Sequence, residues 1–160
     1  MRIEYDVLKN IDIDSFFRVN NIPIFIATNG GFLPNELNEE EKLIENAEWV
    51  SSLPDINRDK LSISINWEYV HKRLAEQDLA ARKSYLYSFR RMARKGFYAY
   101  DRDIQNDNFE SYKLIAWPTY QQLSYPETKK LQSIEVSQCK KENGILWGFC
   151  LMKGMDYANK

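Results

Sequence analysis

The sequence predicts an α+β fold, a single domain over residues 1–160 in which an antiparallel or mixed β-sheet packs with two or three α-helices. Three observations carry this prediction. Segments with strand character occur early and late in the chain, and turn residues separate them. Segments with the three-and-four spacing of amphipathic helices lie between them. A length of 160 residues and a hydrophobic share of 44% suffice for one core without disulfides.

The first predicted element is a β-hairpin from Ser15 to Thr28. Asn20 and Asn21 form its turn, because asparagine tolerates the positive φ of a two-residue connection. The second strand, 22–28, is apolar on both faces, which predicts a central position in the sheet. The segment 29–31, Asn-Gly-Gly, follows a strand as phosphate-binding loops do, but it lacks their motifs, so we expect a tight turn there.

An acidic helix is predicted next, from Asn38 as its N-cap to about Ser52, because glutamates at its start favour the positive end of the helix dipole. Its expected apolar stripe consists of Leu43, Ile44, Ala47 and Val50. Polar and apolar residues then alternate from Lys60 to Ile65, which predicts a strand with one solvated face.

Residues 67–76 fit either a short helix capped by Asn66 or a continuation of the preceding strand. A long basic helix is predicted from Leu79 to Lys95. Asp78 is suited to be its N-cap, and Gly96 is suited to end it.

The last third of the chain is predicted to be mostly β. Residues 97–103 and 112–117 form a second hairpin around a polar loop, and residues 119–130 are expected to be mostly loop. Residues 132–137 and 145–152 are predicted as two further strands, the second almost continuously apolar and therefore buried.

Charge is segregated along this chain. The stretch between Leu79 and Tyr100 has six basic residues and no acidic one, namely Arg82, Lys83, Arg90, Arg91, Arg94 and Lys95. Since the total charge is −1, six positive charges here leave −7 for the remaining residues. Such segregation attracts an anionic partner or pairs with an acidic surface of the same molecule.

A candidate binding surface lies on the basic helix. Lys83, Tyr87, Arg90 and Arg94 recur at steps of four, three and four, and Tyr98 and Tyr100 follow in the next strand. Arginine and tyrosine are enriched in interface hot spots, so we expect these six residues to bind an acidic protein surface. Nucleic acid is the less favoured partner because the sequence pI is 5.9.

A purely structural alternative exists for the same charges. Cations in the last turn of a helix interact favourably with its dipole by about 0.3–1 kcal/mol each. The acidic helix, with glutamates from Glu39 to Glu48, offers a counter-surface within the molecule. On this interpretation the basic face is a solvated part of the fold and binds nothing.

The sequence favours neither a metal nor a cofactor. Asp101 and Asp103 share one face of a strand, with Asp107 and Glu110 nearby, but an EF-hand loop begun at Asp101 lacks its sixth-position glycine and its last-position glutamate. His71 is the sole histidine, which excludes histidine-rich zinc sites. We therefore expect no bound metal or cofactor.

Cys139 and Cys150 are the two cysteines of the chain, and we expect both to be reduced. No apolar run approaches the roughly 18 residues of a membrane span, and the first residues carry early acids in place of an apolar leader. The prediction is a cytoplasmic protein without a membrane partner.

An enzymatic alternative rests on residue order. Arg18 on an early strand, Ser62 on a later strand and Glu135 on a late strand follow the order of the Arg–Ser–Glu triad of ADP-ribosyltransferases. This resemblance implies that Arg18 and Ser62 hold NAD and that Glu135 stabilises an oxocarbenium-like centre. The second glutamate of that family's E-x-E pair is absent, because Ser133 occupies its position. The leading expectation remains a non-enzymatic binding module.

Overall fold

A mixed β-sheet packed with helices forms the fold, seen in a computed structural model that describes residues 1–55, 63–75, 78–103, 111–119, 125–134, 140–142, 145–147 and 150–152. In chain order the elements are α1 (Tyr5–Leu8), β1 (Asp14–Val19), β2 (Ile22–Ala27), α2 (Glu40–Ser52), β3 (Ile63–Ile65), α3 (Trp67–Arg73), α4 (Leu79–Arg94), β4 (Tyr98–Arg102), β5 (Ser111–Pro118), α5 (Tyr125–Thr128), β6 (Lys140–Glu142), β7 (Ile145–Trp147) and β8 (Cys150–Met152). The predicted α+β class is confirmed.

The main sheet has the strand order β1-β2-β4-β5-β3, and β8 also pairs with β5. The pairs β2–β4 and β5–β8 are parallel, and the other pairs of this sheet are antiparallel. Strands β6 and β7 pair separately. Between β2 and β4 the chain passes through α2, β3, α3 and α4. Because β2 and β4 are parallel neighbours, their carboxyl ends lie side by side.

The first hairpin forms as predicted. β1 and β2 pair antiparallel, with Asn20 in the turn at a φ of 55°. Every residue of β2 is buried, and the strand is flanked by β1 and β4, which confirms its central position. After β2, Asn29 has a φ of 43° and Gly30 a φ of 78°, so the chain turns sharply there.

The helix boundaries follow the predicted caps. Asn66 accepts a hydrogen bond from the Tyr69 amide at 3.3 Å, which starts α3 and decides the ambiguous segment in favour of a helix. Asp78 accepts from the Ala81 amide at 2.8 Å and starts α4. Gly96, at a φ of 103°, ends α4 in the left-handed conformation that glycine adopts without strain.

The start and the apolar stripe of α2 differ from the prediction. The helix begins at Glu40, because Asn38 uses its side-chain amide to bind both backbone groups of Ile3, each at 2.9 Å. Ile44 is not on the buried face, since 55% of it is exposed. The buried residues of this helix are Leu43 and Val50.

The described residues refine three predictions for the last part of the chain. Within 145–152 they form two short strands, β7 and β8, which pair in different sheets. Residues 119–130 include the single-turn helix α5. Of the strand predicted at 132–137, the described part makes one parallel bridge, between Ser133 and Arg18.

Some predictions lie outside the described residues. These are the first half of the strand predicted at 60–65, the loop between β4 and β5, and the end of the strand predicted at 132–137. Ser62, Asp107, Glu110, Glu135 and Cys139 belong to the same category.

Two hydrophobic clusters cover the two faces of the sheet. One lies between the sheet and helices α2, α3 and α4, and it includes Phe16, Phe25, Val50, Val70, Leu86, Phe89, Ala93 and Phe97. The other lies on the opposite face and includes Leu8, Phe17, Ile24, Ile26, Leu33, Leu37, Tyr100, Tyr112 and Leu114. Successive residues of β1 and β2 alternate between the clusters, as the pleat of a strand requires.

The buried ammonium of Lys95 joins the carboxyl ends of two helices. It follows α4 and donates a hydrogen bond to the carbonyl of Leu53, the residue after α2. The Asp55 carboxylate lies 3.6 Å from the same ammonium. One of the six basic residues is therefore buried inside the fold.

Across the described residues, no helix is long and apolar enough to span a membrane.

Candidate functional site

The outer face of α4 carries the predicted row of cations. We call Lys83, Tyr87, Arg90 and Arg94 the basic stripe. The opposite face of the same helix buries Leu86, Phe89 and Ala93 against the sheet. Lys83 is exposed, 62% of Tyr87 is exposed, and Arg90 and Arg94 are half-buried. A helix with one face in the core necessarily presents the other to solvent, which is where the stripe lies.

No residue of the basic stripe forms an ion pair within the described part of the chain. The predicted counter-surface on α2 is used otherwise. Glu39 and Glu41 bind the N-terminal ammonium of Met1, and Glu45 lies 3.3 Å from Lys42. In the described residues the cations of the stripe are therefore not neutralised by the acidic helix.

Trp67 extends the basic stripe with an aromatic ring. The guanidinium carbon of Arg90 lies 5.9 Å from the centre of that ring, a cation–π distance. The His71 ring is 5.7 Å from the Trp67 ring, one helical turn further along α3. Since 45% of Trp67 is exposed, its other side is open to a partner. Sequence reasoning missed this residue because the contact joins two helices, although the Asn66 cap placed Trp67 at the exposed start of α3.

Tyr98 and Tyr100 do not share a surface with the basic stripe. Both belong to the cluster on the face of the sheet opposite α4. Tyr100 has 0% exposure, and Tyr98 is half-buried. Grouping them with the helix assumed that neighbours in sequence face the same way, whereas the strand after Gly96 runs beneath α4 and turns these side chains away from it.

A second group of polar residues lies under the helices, at the carboxyl end of β4. We call Tyr69, Arg73, Tyr85, Asp101 and Asp103 the buried polar cluster. The Arg73 guanidinium lies 3.0 Å from the Asp101 carboxylate, and their side chains are 8% and 4% exposed. The Tyr85 hydroxyl donates to Asp101 at 2.7 Å, and the Tyr69 hydroxyl donates to Asp103 at 3.3 Å.

The Arg73 guanidinium contacts three oxygen acceptors at this cluster. It donates to the carbonyl of Arg102 at 2.9 Å and to the Tyr69 hydroxyl at 3.2 Å, in addition to its pairing with Asp101. Burial raises the pKa of the Asp101 carboxyl, and the charge of Arg73 and the hydrogen bond from Tyr85 oppose that rise. Burial also raises the pKa of the Tyr85 phenol, as does the neighbouring Asp101. These contacts fasten α3 and α4 to β4.

The surroundings of Asp101 and Asp103 bear on whether these carboxylates could hold a cation. Both carboxylates are buried, and the donors that face them come from the protein itself. No group of three or more potential metal ligands occurs in the described ranges. Asp107 and Glu110, the other two predicted ligands, lie outside those ranges.

The turn 29–31 uses its own amides for structure. The amide of Asn29 donates to the Asp12 carboxylate at 2.9 Å, that of Gly30 to the Ile11 carbonyl at 2.9 Å, and that of Gly31 to the Thr28 carbonyl at 2.6 Å. No amide of the turn is left to bind a phosphate. The predicted tight turn is confirmed.

Arg18, the first member of the ADP-ribosyltransferase-like triad, also has a structural role. Its side chain donates to the carbonyls of Leu131 at 3.0 Å and Asn20 at 2.9 Å. Its backbone pairs with the segment around Ser133. The guanidinium therefore anchors that segment to β1.

One open cavity of about 220 Å³ lies between the N-terminal segment and the loop before α2, with Arg2, Tyr5, Phe32 and Asn38 among its lining residues. Ligand sites usually measure about 300–1,000 Å³. None of the residues predicted for binding or catalysis lines this cavity.

Comparison with models of protein families, with curated proteins and with solved structures finds no match for this chain. The site must therefore be interpreted from its own chemistry.

Proposed function

We propose that this chain is a non-enzymatic binding module that uses the basic stripe, together with Trp67, to bind an acidic surface of a protein. The observation that carries the proposal is the row of cations on α4 without an ion pair in the described residues, set around an exposed tyrosine. Cations that have no carboxylate partner in the described residues can pair with carboxylates brought by another molecule.

The aromatic rings of this surface favour a protein over other anionic partners. Tryptophan, tyrosine and arginine are the residues most enriched in interface hot spots, and Trp67, Tyr87 and Arg90 supply one of each. A nucleic-acid interface would require a more basic domain than one with a net charge of −1. The cytoplasmic location of the protein stays a prediction. Two cysteines among 160 residues favour a reducing compartment such as the cytoplasm.

A capture experiment tests the proposal. Wild-type protein and the variant Arg90→Glu/Arg94→Glu are immobilised and exposed to an extract of the cells that produce the protein. We expect acidic proteins held by the wild type to be lost from the variant, and to elute from the wild type as salt is raised, since exposed charges are screened.

The matched control is Arg2→Glu/Lys9→Glu, which changes the net charge by the same amount at exposed residues near α1, on the other side of the sheet. Recovery by this control should equal that of the wild type. Equal recovery by all three folded proteins contradicts the proposal. Retention of the wild type on double-stranded DNA, lost with Arg90→Glu/Arg94→Glu, would instead assign the basic stripe to nucleic acid.

A further inference from the structure

Helix α2 carries a row of opposite charge. Its outward residues Glu41, Ile44, Glu45 and Glu48, which we call the acidic stripe, recur at three-and-four spacing. All four are exposed. Glu41 binds the exposed N-terminal ammonium of Met1, and Glu48 has no ion pair in the described part of the chain. Glu45 reaches only Lys42, and both side chains of that pair are about two-thirds exposed, at 68% and 66%. Exposed pairs of this kind contribute little and exchange readily.

The carboxyl-terminal part of α2 lies on the same side of the sheet as α4, whereas Leu43, near the amino-terminal end of the acidic stripe, packs on the opposite face. Val50 of α2 and Leu86, Phe89 and Ala93 of α4 pack into one cluster, on one face of the sheet. Lys95 fastens the carboxyl ends of the two helices together. Nevertheless, no ion pair joins α2 to α4 among the described residues. The basic stripe therefore has no ion pair in the described residues, and the acidic stripe has the unpaired Glu48 and the exposed pairs of Glu41 and Glu45. Exposed pairs of this kind can give way to a surface of the opposite sign.

We propose that the acidic surface bound by the basic stripe is the acidic stripe of a second copy of this chain. The proposal rests on the proposed function and names its partner. A two-fold axis between α2 and α4 would place each basic stripe against the acidic stripe of the other copy. Both contacts then form in one isologous interface, which closes as a dimer and does not grow into a filament.

The composition of the two stripes supports a second copy of the chain as the partner. Each has three charged side chains and one exposed apolar residue, Tyr87 among the cations and Ile44 among the carboxylates. Tyr87 and Ile44 are both more than half exposed, so their burial adds an apolar contribution to the charge complementarity. Because the ion pairs start out exposed to solvent, the dimer is expected to weaken as the ionic strength rises.

Sedimentation equilibrium of the full chain tests the pairing. At about 20 mM NaCl we expect the wild type to approach twice its monomer mass of 19.0 kDa, and at about 500 mM to approach the monomer mass. Arg90→Glu/Arg94→Glu makes both stripes acidic, and Glu45→Lys/Glu48→Lys makes both net basic. Each variant alone should remain a monomer at low salt.

An equimolar mixture of these two variants is the decisive sample. One protein then offers two acidic stripes and the other two basic ones, so the mixture should recover the dimer mass that neither variant reaches alone. Lys9→Glu, an exposed substitution after α1, serves as the control and should dimerise like the wild type. Circular dichroism of each variant verifies that it is folded.

Three results overturn the inference: a wild type that is monomeric at low salt, a dimer that persists in both charge-reversed variants, or a mixture that stays monomeric. The first of these, combined with capture of an acidic protein through the basic stripe, leaves the proposed function standing with a different partner. Loss of both the capture and the dimer removes the two together.

Discussion

Arg73 of α3 and Arg90 of α4 lie on adjacent helices, and their surroundings differ completely. Arg73 is buried, lies 3.0 Å from Asp101 and donates to a tyrosine and a carbonyl as well. Arg90 stacks on a half-exposed tryptophan and has no carboxylate beside it in the described residues. A charge inside the fold must be paired to be tolerated, whereas a charge on the surface can stay unpaired. Unpaired surface charge is therefore free for a partner.

The largest expected effect comes from breaking the buried pair. Arg73→Ala leaves the Asp101 carboxylate buried without its cation, which should lower the free energy of unfolding by about 3 kcal/mol. Urea denaturation at pH 7 measures this loss. The loss should shrink at pH 4, because removing Arg73 raises the pKa of Asp101 further and the carboxyl then takes up a proton.

Arg94→Ala is the matched arginine on the basic stripe. Its expected change in the free energy of unfolding is below about 1 kcal/mol, because a cation in the last turn of a helix contributes about 0.3–1 kcal/mol. Equal losses for Arg73→Ala and Arg94→Ala would show that the distinction between the buried polar cluster and the basic stripe is wrong.

Two tyrosines of α4 sharpen the same comparison. Tyr85→Phe removes a hydroxyl that donates to Asp101 at 2.7 Å, and should lower the free energy of unfolding by about 1.5 kcal/mol, as expected for a hydrogen bond to a charged group. Tyr87→Phe removes an exposed hydroxyl on the opposite face of α4 and should change the free energy of unfolding by less than about 0.5 kcal/mol. Thermal unfolding of the two variants side by side gives the difference, and a larger loss from Tyr87→Phe would contradict the assignment of the two faces.

Asp14, at the start of β1, differs from both arginines, and its substitution is expected to change the free energy of unfolding least. It has no cation partner in the described residues, and desolvation together with Asp12 raises its pKa to about 6. A raised carboxyl pKa means that the native state prefers the protonated form, so stability falls as pH rises from about 4 to 6.

Asp14→Asn removes this loss of stability at higher pH, because asparagine carries no charge. Because solvent still reaches this residue and screens its charge, the effect of its partial desolvation is small, and we expect a gain of less than about 1 kcal/mol at pH 7 and none at pH 4. Urea denaturation at both pH values measures it. A gain of the same size at pH 4 would rule out titration of Asp14 as its cause.

Local signals in the sequence were sufficient for much of the fold. The Asn20-Asn21 turn, the caps at Asn66 and Asp78, and the stop at Gly96 all depend on a few neighbouring residues, and the structure agrees with them. The inward face of α4 likewise follows from the periodicity of one helix.

Predictions failed where distant segments compete for a residue. Asn38 is a good helix cap, but the backbone of Ile3, 35 residues away, takes its amide. The pair Arg73–Asp101 joins a helix to a strand, and the residue types alone do not indicate it. Tyr100 appeared to belong with the basic helix because it is close in sequence, yet its strand lies beneath that helix and directs it to the opposite face.

The ammonium of Lys95 links the carboxyl ends of α2 and α4 through the carbonyl of Leu53. If α2 detached from the sheet on its own, this cation would lose both the Leu53 carbonyl and the Asp55 carboxylate, so these contacts favour opening of α2 and α4 together. The two helices should therefore exchange their amide hydrogens as one cooperative unit. The segment that carries acidic charge and the segment that carries basic charge thereby share a single opening equilibrium.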